Sequence, residues 1–65
     1  MSYVISDSYG AYIENINSLE QGSKSVLYPI FTFHKNKAMI FESMEAAKSA
    51  AGSVNLGPWY TISKE

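Results

Sequence analysis

Residues 43–52 read Ser-Met-Glu-Ala-Ala-Lys-Ser-Ala-Ala-Gly, and no other stretch of the chain carries so strong a helix signal. Its alanines favour helix, the Ser43 hydroxyl can cap the first turn, and Gly52 can terminate the last. Glu45 falls in the first turn, where a negative charge complements the helix dipole. Met44, Ala47 and Ala51 recur at helical spacing, and alanines at such positions permit close approach to a sheet. The remainder of the chain has the composition of strands and turns, so one helix must cover one sheet, which is an α+β fold.

The strands follow from local runs. Tyr3-Val4-Ile5 favours β structure and is closed by Ser6-Asp7-Ser8-Tyr9-Gly10, where Asp and Ser can bond their own backbone and Gly10 tolerates positive φ. Ala11-Tyr12-Ile13-Glu14 resumes the extended pattern, which predicts a hairpin with a loop of about five residues. From 15 to 25 the chain is rich in Asn, Ser, Gln and Gly, with only Ile16 and Leu19 as apolar anchors, and reads as a loop with at most one helical turn.

Residues 26–33 are apolar and β-branched, and Pro29 within them assigns this third strand to a sheet edge. His34-Lys35-Asn36-Lys37 has two readings: the turn of a second hairpin into Ala38-Met39-Ile40-Phe41, or a short helical turn near 33–38 capped by Thr32. The helical turn is favoured. After a turn-rich connector at 55–58, Trp59-Tyr60-Thr61-Ile62 makes a closing strand, with Trp59 expected half in the core. The predicted architecture is a small antiparallel sheet of three to four strands with one helix, residues 43–51, packed on one face.

A chain of 65 residues has room for a single domain, 1–65, and buries only about 60% of the surface its unfolded form exposes. The usual supplements are disulfides, metals and self-association, and the first is excluded because cysteine is absent. Self-association is therefore expected, a dimer first of all. Neither a secretory leader nor a membrane span is recognisable, which predicts a cytoplasmic protein. Net charge is −1 and every basic residue except His34 is a lysine. Without arginine, sequence-specific nucleic-acid readout is disfavoured. The charges are segregated: residues 1–23 carry Asp7, Glu14 and Glu20 without a lysine, and residues 24–41 carry Lys24, Lys35 and Lys37 without an acid.

No catalytic constellation is recognisable. His34 is the lone histidine, no Ser nucleophile motif accompanies it, and the spacing of Asp7, Glu14, Glu42 and Glu45 singles out no carboxylate pair. The oxygen-rich run 6–10 lacks the further acids of a calcium loop. No cofactor or metal is therefore expected, and the chain is predicted not to be an enzyme. The nine aromatic residues are more than so small a sheet can readily cover, and Tyr and Trp anchor interfaces. The predicted partner-binding residues are Tyr9, Tyr12, Tyr28 and Tyr60, with His34, Lys35 and Lys37 beside them.

Phe31-Thr32, Ala38, Phe41, Ser43, Glu45 and Ala47 form the pattern F-T-x5-A-x2-F-x-S-x-E-x-A, preceded by Tyr3-Val4-Ile5, Gly10 and Tyr12-Ile13. This resembles a loose group of small bacteriophage and prophage proteins built from a hairpin, a short helical turn, a capped helix and a closing strand. The resemblance touches about two thirds of the chain and skips residues 15–25. Phe33, Met39 and Ile40 depart from it, being apolar where such proteins often carry lysine or acid. The resemblance implies a non-enzymatic protein that binds and inhibits or modulates a host protein, such as a polymerase, a CRISPR complex or another defence assembly. Alternatives are a small nucleic-acid-binding accessory protein, with lysines and tyrosines as a stacking platform, and a minor virion or assembly component.

Overall fold

The computed structural model of this chain describes residues 2–65. It contains β1 (Tyr3–Asp7), β2 (Tyr12–Gln21), β3 (Lys24–Thr32), a 3₁₀ turn (Lys35–Lys37), α1 (Met44–Ser53) and β4 (Tyr60–Lys64). The four strands form one sheet in the order β3-β2-β1-β4, with every neighbouring pair antiparallel. This is the α+β architecture that the sequence predicts. The Pro29-bearing strand lies at an edge, as expected of a residue without an amide hydrogen.

The first hairpin is tied by one side chain. Asp7 Oδ1 accepts hydrogen bonds from the Tyr9 and Ala11 amides at 2.8 and 2.9 Å, and the Asp7 amide donates to the Ala11 carbonyl at 2.8 Å. Gly10 takes φ 86° within this loop, where a side chain would be strained. Ala11, expected to open the second strand, lies buried in the loop instead.

Residues 15–25 are not a loop. They continue β2, turn through Gly22-Ser23 and return as β3, with Gln21 opposite Lys24. Gly22 has φ 65° and Ser23 does not have positive φ, the backbone of a type II′ turn, whose twist matches that of the flanking strands. The two strands stay in register back to Ile13 opposite Phe31, with one bulge between Ile13 and Asn15. That bulge adds a residue to β2, so Ile13 and Ile16, three apart, both reach the core side.

Between β3 and α1 the favoured helical turn is present at Lys35–Lys37, and no second hairpin forms. Thr32 does not cap it: its Oγ1 accepts from the His34 amide at 3.2 Å, and His34 occupies the capping position without a side-chain bond. The chain then crosses from β2 to β1. The Met39 amide donates to the Ile13 carbonyl at 2.8 Å, and Phe41 exchanges both backbone hydrogen bonds with Tyr3.

Ser43 caps α1 as predicted, its Oγ accepting from the Ala46 amide at 3.1 Å. Gly52 does not terminate the helix. It stays helical, and the left-handed position falls on Asn55 at φ 55°. The Leu56 amide reaches the Ala51 carbonyl and the Asn55 amide that of Gly52, which together make a Schellman cap. The cap turns Leu56 back against the core.

α1 packs on β1 and β4. Ala47 and Ala51 are fully buried there with Ile5, Ile13, Phe41 and Val54, while Met44 stays exposed. Ile5 faces Ile62 across the β1–β4 pair and sits at the centre of this core.

Candidate interaction surface

Strand polarity decides which connections meet. β1 and β3 end, and β2 and β4 begin, at the same end of the sheet. Thr32 lies opposite Tyr12 and Asp7 opposite Tyr60, so Phe33, the 8–11 loop and Trp59 share one rim. At roughly 4.8 Å between strands, four strands make this rim about 15 Å wide. It carries the three most exposed large apolar side chains among the described residues: Tyr9 (86%), Phe33 (74%) and Trp59 (73%). His34, Lys35 and Lys37 follow directly on Phe33 and are also exposed. The one acid in the immediate loop, Asp7, has its Oδ1 engaged by backbone amides.

The sequence-predicted binding residues are distributed over three regions. Tyr9, His34, Lys35 and Lys37 come together at the rim. Tyr28 lies far from it, on the β2–β3 hairpin beyond the core, opposite Asn17. Tyr12 and Tyr60 are half-buried at the strand starts, and Tyr60 packs against the core. Trp59, expected half in the core, is instead mostly exposed. Gly57 and Pro58 form a turn just before it, and β4 begins only at Tyr60. Phe33 lies one residue past the end of β3, free of the sheet; its apolar character against a charged expectation was the signal for it.

Asp7 sets the shape of the rim, because two loop amides depend on its carboxylate. Asp7→Ala is expected to lower stability by roughly 1–2 kcal/mol in urea denaturation and to speed hydrogen exchange at the Tyr9 and Ala11 amides. Asp7→Asn keeps an acceptor and should recover much of the loss.

No family model, curated protein or solved structure matches the chain. Among the described residues, no three His, Cys, Asp or Glu side chains cluster as a metal site, and the surface is without a cavity. Among the described residues no helix is long and apolar enough to cross a membrane. The described surface presents an aromatic strip edged by positive charge.

Proposed function

We propose that this chain is a non-enzymatic binding module that seats its aromatic rim on a protein partner. The resemblance to small phage proteins makes that partner a host protein, inhibited or modulated in the host cytoplasm during takeover or evasion of defence. The convergence of Tyr9, Phe33 and Trp59 at one end of the sheet carries this reading. Three exposed aromatics on one rim cost hydration in the free protein, and such residues, once desolvated against a partner, dominate interface energies. Lys35 and Lys37 beside them favour an acidic receiving surface and speed encounter.

Trp59 is the lone tryptophan, so it reports on its own surroundings. Wild-type protein, tagged and passed over lysates of several bacterial hosts, should retain one stoichiometric partner. Adding that purified partner should shift Trp59 emission to shorter wavelength and shield it from acrylamide. A Tyr9→Ser/Phe33→Ser/Trp59→Ser variant should stay folded by circular dichroism and lose the partner. Retention of the same partner by this variant, or recovery of none by the wild type, overturns the reading.

One observation favours a second reading: the basic residues Lys35 and Lys37 lie next to Phe33, as in surfaces that stack single-stranded bases. A salt-dependent mobility shift with single-stranded DNA or RNA would support it, and no shift at low salt would remove it.

A further inference from the structure

The β2–β3 hairpin outruns the core. β2 has ten residues where β1 and β4 have five each, and β2 alone spans about 30 Å of a molecule measuring 37 × 23 × 20 Å. The accessible surface is 4611 Å², against about 4100 Å² expected for a compact monomer of this mass. The projecting arm accounts for an excess of this kind. Its loss by two copies would bury roughly 1000 Å² in total, the size at which a specific interface begins.

Register sorts the arm into two faces. Asn15, Asn17, Leu19 and Gln21 share one face with Ile30, Tyr28, Val26 and Lys24, their respective partners. On this face Leu19 and Val26 are about half exposed and Tyr28 is 41% exposed. The pattern is symmetric along the arm. The apolar Leu19–Val26 row and the Tyr28–Asn17 row flank the Ser18–Leu27 row on either side. Lys24 lies three rows beyond that centre toward the tip, and the Asn15–Ile30 row lies three rows toward the root, where the bulge sets exposed Glu14 beside it.

We propose that this face binds a second copy of the chain, the two arms stacking antiparallel about a two-fold axis through the Ser18–Leu27 row. That axis exchanges the Leu19–Val26 row of one protomer with the Asn17–Tyr28 row of its partner, laying Val26 on Tyr28 with Leu19 beside them over Asn17. It also carries Lys24 of each over Ile30 of the other, within reach of exposed Glu14 on the adjoining strand. Like charges never meet, and both ends of the contact are satisfied by one operation, as an isologous interface requires. Pairing through the free edge of β3 is the weaker arrangement, because Pro29 removes a donor from that edge. The rim lies at the other end of the sheet and stays open in the dimer.

Sedimentation equilibrium over a wide concentration range tests this. Wild-type mass should rise from that of the monomer to twice it. Leu19→Lys, at the centre of the face, should remain monomeric while keeping the wild-type circular dichroism spectrum. Lys24→Glu should weaken the dimer at least about five-fold, since each dimer contains the contact twice. Lys24→Glu with Glu14→Lys should return it to within about two-fold of wild type. A wild-type protein that stays monomeric at millimolar concentration, or a dimer indifferent to Leu19→Lys, overturns the proposal. So does failure of the double charge exchange to restore what the single one loses. Leu19→Lys should still engage a rim-bound partner, which separates this test from that of the rim.

Discussion

Ile5→Ala is expected to leave much of the chain unfolded at 25 °C. Ile5 is among the largest fully buried side chains, on β1 between two partner strands, and it packs with Ile13, Phe41, Ala47, Ala51 and Val54. Truncating such an isoleucine costs about 2–5 kcal/mol, through lost transfer energy and the cavity left behind. A domain of this length has a total stability on the order of 3–10 kcal/mol, so the loss is comparable with the whole. The alanines beneath Ile5 belong to a helix and cannot extend to fill the gap. Urea denaturation followed by far-UV circular dichroism should show a midpoint near or below zero denaturant for Ile5→Ala. Ile5→Val, which removes one methyl group, should cost only about 1 kcal/mol. A well-folded Ile5→Ala protein with a near-normal midpoint would mean that β1 is not the centre of the core.

The parts of the fold legible in the sequence are those whose signals are local. Ser43 and the alanines after it specify α1 because capping and propensity act within one turn. Asp7 and Gly10 specify the first hairpin because the carboxylate and the positive φ act inside the loop itself. Even the helix end was only half legible. Gly52 carries the usual termination signal, but the Schellman bonds close three residues later, on Asn55, where Leu56 can return to the core.

Residues 15–25 misled for a physical reason. A strand announces itself by alternation when one face is buried, and the outer part of β2 is solvated beyond the core, so polar residues occupy both of its faces. The bulge also shifts the phase, placing Ile13 and Ile16 on one side at a spacing that reads as helical. The one honest local signal was Gly22-Ser23, a two-residue turn whose first position needs positive φ. It becomes persuasive only when the flanks are already known to be strands.

The rim was legible in content and not in place. Excess aromatics and the lysine turn were visible in the composition, but which of them share a surface depends on strand order. β4 pairs with β1 and not with β3, and this brings Trp59 next to the Tyr9 loop. Without that long-range pairing, Tyr28 and Tyr9 look equivalent, and the structure puts Tyr9 in the rim and Tyr28 midway along β3, away from it.

Because β4 carries Trp59 to the rim, the seat of α1 on β1 and β4 matters to the aromatic rim as well as to the core. Ala47→Leu tests that seat directly. Ala47 is fully buried between helix and sheet, and leucine there has no space without moving α1 off β1 and β4. Overpacking of this kind costs typically 1–3 kcal/mol, which in a small domain lowers Tm by roughly 10 °C. Ala46→Leu makes the same chemical change one residue earlier, on the exposed side, and should shift stability by no more than about 0.5 kcal/mol. Helix propensity is nearly equal for the two residues, so the difference between these variants isolates contact with the sheet. Thermal melts of both, read alongside Trp59 quenching, should show Ala47→Leu alone melting early. Equal melting temperatures would mean that the helix does not rest on the sheet through Ala47, and the positioning of β4 would then need another cause.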